Sequence, residues 1–267
     1  MVIKKTPELL RNIDKINMDI YEMAYVRVGT DWRASHVRSG YTRIYMIIDG
    51  YGTIIYEGTE LIMEPGNIYV IPAGLDFSYK CDGFMEKIYF HISILLPNNY
   101  DVFDGVSKCM RIQNKRESII AISKLIKTNT INSVIGIKAF LYEVVRQCIQ
   151  SEGDAVLTSY SDNILNILGY IEANLSSGLS ISQIADYMFV SPSKLQKLFK
   201  AELGNPIGRY IDDRLMFISE REVRHGTMSI KEISDMLGFC DQFYFSRRFS
   251  IKYGMPPQKY RNALCGS

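Results

Sequence analysis

Residues 237–249 read LGFCDQFYFSRRF. The rings of Phe239, Phe243, Tyr244, Phe245 and Phe249 crowd around Gln242, Arg247 and Arg248. A buried helix does not need the arginines, and a solvated face does not need the rings. The stretch fits a helix with one side packed and the other turned toward something polar and anionic. A guanidinium can pair bidentately with guanine and a carboxamide with adenine, while lysine and serine suit phosphate oxygens. Fifty residues upstream, SPSKLQKLFK offers a second array of the same kind, Ser193, Lys194, Gln196 and Lys197, around the stripe Leu195, Leu198 and Phe199. In the later segment the outward set is Gln242, Phe243, Ser246 and Arg247, with Phe245 and Phe249 buried four residues apart.

Two matching segments position these arrays. In residues 179–204, Ser180 caps a short helix and Ser191 a second one, with Pro192 at the first helical position, where its missing N–H costs nothing. In residues 228–254, Ser229 caps a helix ended by Gly238, and Asp241 caps the next. Each segment predicts a helix–turn–helix. The competing reading of either one alone is a helical hairpin with a solvated polar face.

The region from about residue 20 to 96 predicts strands: RIYMII, TIIYE, LIME, NIYVI, FSYK and KIYFHISIL, separated by DGYG, EGTE, EPGN, PAG and CDG. Strand lengths of this order suit an antiparallel barrel or sandwich. Both faces of several strands are apolar or aromatic, so one can pack while the other lines a cavity. Residues 116–127 and 131–150 show apolar spacing of three and four, hence amphipathic helices. The stripe Val134, Ile137, Leu141, Val144, Val145 and Cys148 on the second is wider than packing on a barrel needs and predicts a homodimer face, with burial inside the same chain as the alternative. Residues 151–163 are polar and broken and read as a linker. The chain thus divides into 1–155, with a barrel at about 20–96 and helices at about 111–150, and an all-helical 160–267. The fold class is α+β in two domains.

The net charge of +2 is unevenly spread. Ser191–Arg261 holds 13 Lys/Arg against 8 Asp/Glu, an excess of +5, and the rest holds 18 against 21, or −3. A basic C-terminal part suits a polyanionic partner. No basic stretch followed by an apolar run opens the chain, and no apolar run approaches the roughly 20 residues of a membrane helix. The cysteines, Cys81, Cys109, Cys148, Cys240 and Cys265, never stand at CxxC spacing, which points away from zinc sites and disulfide frameworks and toward a reducing, cytoplasmic compartment.

The segments SISQIADYMFVSPSKLQKLFKAELGNPIGRYI and IKEISDMLGFCDQFYFSRRFSIKYGMPPQKYR resemble the DNA-binding domain of the AraC/XylS family of bacterial transcription regulators. The resemblance implies two helix–turn–helix units joined by a long helix at about Pro206–Arg224, with recognition helices at about 191–202 and 241–252. By position, Ser193, Gln196, Lys197, Gln242 and Arg247 would read bases. Leu215 stands where the family usually has arginine; Ser219, Glu222 and Ser234 also depart from its pattern.

PGNIYVIPAGLDF resembles a cupin motif, with Gly66, Pro72 and Gly74 in step but Phe77 in place of the metal-binding histidine. Upstream, His36 stands alone where metal cupins have a histidine pair and a glutamate. A catalytic metal site needs three or four converging ligands, so no metal or cofactor and no enzymatic activity are expected. A barrel that binds a small molecule, with sugars as the candidate class, would be lined by Trp32, Arg33, His36, Arg43, Tyr45 and His91. The resulting reading is a cytoplasmic, homodimeric, effector-responsive regulator of transcription that binds double-stranded DNA. The alternatives are a cupin-type isomerase or dioxygenase with a helical appendage, and a dimeric regulator with no ligand.

Overall fold

A computed structural model describes residues 16–96, 101–103, 106–152 and 160–265. The chain forms two compact units, one made of Asn17–Ile94 and Asp101–Leu157 and one containing Thr158–Ser267.

The first unit carries β1 (Asn17–Val28), β2 (Arg33–Val37), β3 (Thr42–Gly50), β4 (Gly52–Tyr56), β5 (Thr59–Met63), β6 (Ile68–Ile71), β7 (Phe77–Lys80), β8 (Met85–Leu95) and β9 (Met110–Ile112). They build a five-stranded sheet, β1-β8-β3-β6-β9, and a four-stranded sheet, β2-β7-β4-β5. The antiparallel β architecture expected from the sequence is present as two facing sheets rather than one closed ring. Local chemistry sets the corners. Glu57 and Gly58 both take positive φ, 47° and 75°, between β4 and β5, the two-residue turn whose twist matches its strands. At Gly50, φ 70°, a Cβ would come within 2.1 Å of the Phe84 carbonyl oxygen, so glycine alone fits.

Strand alternation sorts the side chains. Tyr45 and Ile47 of β3, Tyr69 and Ile71 of β6 and Met85 of β8 share a core with Ile54, Met63 and Phe77 from the other sheet. Ile44, Met46, Ile88 and Phe90 are buried on the opposite face. There α1 (Arg116–Leu125) lies against β3, and α2 (Ile131–Glu152) lies against β9 and α1.

Two expectations are corrected here. Helix was expected from about residue 111, but Met110–Ile112 pair with β6, Val70 opposite Met110 and Ile68 opposite Ile112. This satisfies ladder groups that β6 would otherwise leave open, and helix begins only at Arg116. The proposed dimer stripe on α2 is mostly internal: Ile137, Leu141, Val144, Val145 and Cys148 are buried within their own unit, and Val134 alone of that set is exposed. The apolar residues that α2 leaves uncovered are Ile131, Val134, Ile135 and Tyr142.

The second unit is helical: α3 (Asp162–Ala173), α4 (Ile181–Tyr187), α5 (Pro192–Leu203), α6 (Ile207–His225), α7 (Ile230–Met236), α8 (Gln242–Tyr253) and α9 (Pro257–Cys265). Most of the expected linker, 153–159, lies outside the described residues, and its last residues already open α3. Ser180 and Ser229 each form a capping box, with Gln183 and Glu232 respectively. One core gathers Ile164, Ile167 and Ile171 of α3 with Ile184, Leu195, Phe199 and Tyr210. A second gathers Leu215, Met216 and Val223 of α6 with Ile233, Leu237, Phe239, Phe245, Phe249 and Tyr260. α6 therefore serves both cores. Truncating either fully buried phenylalanine of α8 to alanine should cost about 3–5 kcal/mol.

Candidate functional site

The two helix–turn–helix units repeat each other bond for bond through their turns. The N–H of Val190 donates to the Ala185 carbonyl and that of Phe239 to the Ser234 carbonyl, both at 3.0 Å. Ser191 Oγ accepts from the Lys194 N–H at 3.3 Å, and Asp241 Oδ1 from the Tyr244 N–H at 2.7 Å. That backbone donor holds the Asp241 carboxyl below its ordinary pKa, which keeps an anion at the helix N-terminus. The units differ at the residue that must turn left-handed. In the second it is Gly238, φ 71°; in the first it is Phe189, φ 53°, with 96% of its surface exposed.

From these turns α5 and α8 project their polar faces. Ser193, Lys194, Gln196 and Lys197 are exposed along α5, and Gln242, Phe243 and Arg247 along α8; Ser246 is half-buried. Phe243 is 86% exposed although Phe245, two residues on, is fully buried. The neighbouring arginines of α8 separate sharply. Arg247 is exposed, its guanidinium 5.5 Å from the Tyr244 ring centroid. Arg248 forms an ion pair with Asp212 of α6 and donates to the Tyr244 hydroxyl at 3.2 Å. Lys252 pairs with Asp213 at 2.6 Å, also on α6. Arg248 and Lys252 thus fasten α8 to the linking helix, and Arg247 stays available.

The linking helix holds an arginine after all, one position before the site where it was expected to be missing. Leu215 is core, while Arg214 is buried and donates from Nε and Nη2 to the two oxygens of Glu172 at 2.8 and 3.0 Å. Ser219 returns its hydroxyl to the Leu215 carbonyl at 2.7 Å.

Between the sheets of the first unit, register puts a polar row where aliphatics would be the ordinary filling. Arg43 pairs with His91, Tyr45 with Tyr89 and Ile47 with Lys87 across β3 and β8. His91 Nδ1 lies 2.8 Å from Glu22 Oε2, and the Tyr89 hydroxyl donates to Glu22 Oε1 at 2.5 Å. Arg43 donates to Ser39 Oγ at 2.9 Å and the Tyr41 hydroxyl at 3.0 Å. Its guanidinium is 5.1 Å from the ring of Phe77. Trp32 stacks on Tyr79 with centroids 4.2 Å apart. The Lys87 ammonium sits 3.7 Å from the Trp32 centroid and 3.8 Å from that of Tyr45. Burial, and then the charge of Arg43, lower its pKa well below the usual lysine value.

Of the six residues expected to line a cavity, Trp32, Arg43, Tyr45 and His91 come together here. Arg33 and His36 do not. Arg33 is exposed and donates from Nε to the Thr30 carbonyl, and His36 is exposed beside Asp76, where β2 loses register against β7. That irregularity falls at His36, whose φ is 53°, and turns its side chain out of step with the alternation, while Arg33 lies before it, in register with Lys80. Lys87, Tyr89 and Glu22 were missed. Lys87 and Tyr89 were legible, because KIYFH puts them four and two residues before His91 on the same strand face. Glu22 carries no such signal. Among the described residues no group of three or more His, Cys, Asp or Glu side chains is arranged to hold a metal ion.

Residues 184–263 match a family model described as a helix-turn-helix domain. The multiple antibiotic resistance protein MarA of Escherichia coli strain K12 is 34% identical over 98 residues, covering 37% of this chain and 77% of MarA. The chain belongs to the AraC/XylS family.

The kinship extends over both units. The lactose operon transcription activator of Staphylococcus xylosus is 22% identical over 236 residues, covering 82% of this AraC/XylS chain and 83% of the activator. In fold, the chain is similar to apo ToxT K231A from Vibrio cholerae, with a TM-score of 0.56 at 14% identity over 94% of this chain and 98% of that one. As an AraC/XylS member the protein is a DNA-binding transcription regulator, and its helical unit is the DNA-binding element. No described helix is long and apolar enough to cross a membrane.

Proposed function

We propose that the protein is an effector-controlled, sequence-specific regulator that acts as a homodimer in the cytoplasm. α5 and α8 enter successive major-groove segments. Gln242 and Arg247 read base edges, Phe243 meets an apolar base surface, and Ser193, Gln196 and Lys197 divide between bases and phosphates, with Lys194 and Ser246 on the backbone. One observation carries this reading: two independently capped helices present exposed arrays of base- and phosphate-bonding side chains, while the adjacent cations Arg248 and Lys252 are held on α6. The effector site is the interior of the sandwich, where Trp32, Arg43, Tyr45 and His91 converge. A sugar is the effector class we favour, supported by the similarity to a lactose operon activator along most of both chains. The uncovered apolar face Ile131, Val134, Ile135 and Tyr142 is the surface on which a second copy would dock.

Selection of DNA by the full-length protein from a random pool, with and without lactose, tests the first part. A shared motif whose recovery changes with the sugar is the expected result; indifferent recovery of all sequences would refute sequence-specific reading. A monomeric mass at micromolar concentration would remove the dimer. The regulator carries out no chemistry on its effector in this reading. Stoichiometric iron, zinc or manganese in purified protein, with turnover of a substrate, would overturn that.

A further inference from the structure

We propose that Lys87 anchors a binding site for a small oxyanion, a carboxylate or phosphate monoester carried on a ring-shaped body, inside the β-sandwich. The inference rests on the effector reading above and narrows the chemistry of the effector. Lys87 is 2% exposed. Its ammonium touches the faces of Trp32 and Tyr45 and lies 5.8 Å from the Tyr89 centroid. Among the described residues no carboxylate, hydroxyl or carbonyl forms an ion pair or hydrogen bond with it. Aromatic faces recover part of the hydration that a buried ammonium gives up, but they are not conventional acceptors for its N–H groups.

The Glu22 carboxylate is engaged by Tyr89 and His91. Arg43 adds a second positive charge near enough to disfavour the Lys87 ammonium. A methionine would fill the same volume without burying a charge. An incoming oxyanion would supply the missing acceptor in a medium where charge pairing is strong. The stacked pair Trp32 and Tyr79 is only half-buried, which leaves part of its aromatic surface to meet the body of the ligand. A neutral sugar could hydrogen-bond here, but it would leave the buried cation unpaired.

Trp32 is the single tryptophan of the chain and touches Lys87, so its fluorescence in the full-length protein reports on this site. The probes are galactose 6-phosphate, galacturonate and neutral galactose. Saturable quenching by at least one of the two anions is expected, about tenfold or more tighter than by galactose, in line with a charge-assisted hydrogen bond. Which anion is preferred distinguishes phosphate from carboxylate. Lys87→Met should abolish the preference while its circular dichroism stays unchanged and its melting temperature does not fall; if that variant does not fold, Lys87→Gln is read the same way. The inference is overturned if galactose matches the anions, if neither anion saturates, if the preference survives the substitution, or if Lys87→Met folds but melts lower, which would make the lysine a packing element. Lactose altering DNA binding while both anions leave Trp32 untouched would sink the anion site and keep the effector reading. Anion binding at Trp32 that never alters DNA binding would do the reverse.

Discussion

Replacing Arg247 and Arg248 separately by alanine should give opposite phenotypes, although the two are adjacent on one helix. Arg247 is exposed, with its guanidinium 5.5 Å from the Tyr244 ring centroid and its charge acting on the Asp241 carboxyl. Removing it should change the stability of the helical unit by no more than about 0.5 kcal/mol. If its guanidinium grips a guanine edge, binding to the selected site should fall by about 1–3 kcal/mol, roughly 5- to 150-fold. The loss should be confined to one or two base pairs. Arg248→Ala removes the ion pair with Asp212 and the 3.2 Å bond to the Tyr244 hydroxyl. The two charged side chains are 31% and 42% exposed, so solvent screens the pair and its loss should cost about 1 kcal/mol or less. That loss should appear as a lower melting temperature and a uniform weakening on every sequence, because α8 is less firmly held on α6. The assay is fluorescence anisotropy of each variant on the selected site and its single-base variants, alongside thermal melts. Equal loss on all sequences for Arg247→Ala would refute the base-reading role. Relaxed base preference for Arg248→Ala would refute the division of labour between the two arginines.

Phe189→Gly relieves a left-handed backbone that glycine occupies at the matching turn. Against roughly 1–2 kcal/mol of strain stands the extra unfolded-chain entropy of glycine, about 0.4–1 kcal/mol, so denaturant unfolding should show a gain of a few tenths to about 1 kcal/mol. A loss would mean that the exposed ring makes a stabilising contact. The lowered pKa of Lys87 has its own signature. Folded, the group sheds its proton below its ordinary 10.5, so between the two values the unfolded chain binds more protons and stability should rise with pH. Thermal melts across the mildly alkaline range should show that slope in the wild type and a flatter one in Lys87→Met; identical slopes would contradict it. Residues 160–267, which hold their own caps and both helical cores, should fold alone and bind DNA with an affinity that falls steeply with salt. Lys197→Ala should reduce that salt slope by about one unit without changing base preference, and an unchanged slope would move Lys197 off the phosphates.

The helical unit was legible in the sequence because its determinants are local. Ser180, Ser191, Ser229 and Asp241 each accept a hydrogen bond from a backbone N–H three residues on. Leu195 with Phe199, and Phe245 with Phe249, stand four apart on a helix of known period. The exposed arrays then follow by exclusion. The strands and the Glu57–Gly58 turn were legible for the same reason. What periodicity cannot say is what covers a face once it is named. The α2 stripe was rightly apolar, but β9 and α1 of the same chain already lie against that helix and cover most of it. Arg248 and Asp212, 36 residues apart, meet because α6 and α8 pack together. Lys87 on β8, Tyr45 on β3 and Trp32 before β2 converge only through strand register and sheet stacking, which places Ile47 opposite Lys87. Alternation puts Lys87 on the same face as His91, a placement the sequence reading left unused, and the facing sheet makes that face an interior, where burial disfavours the charged form of the lysine.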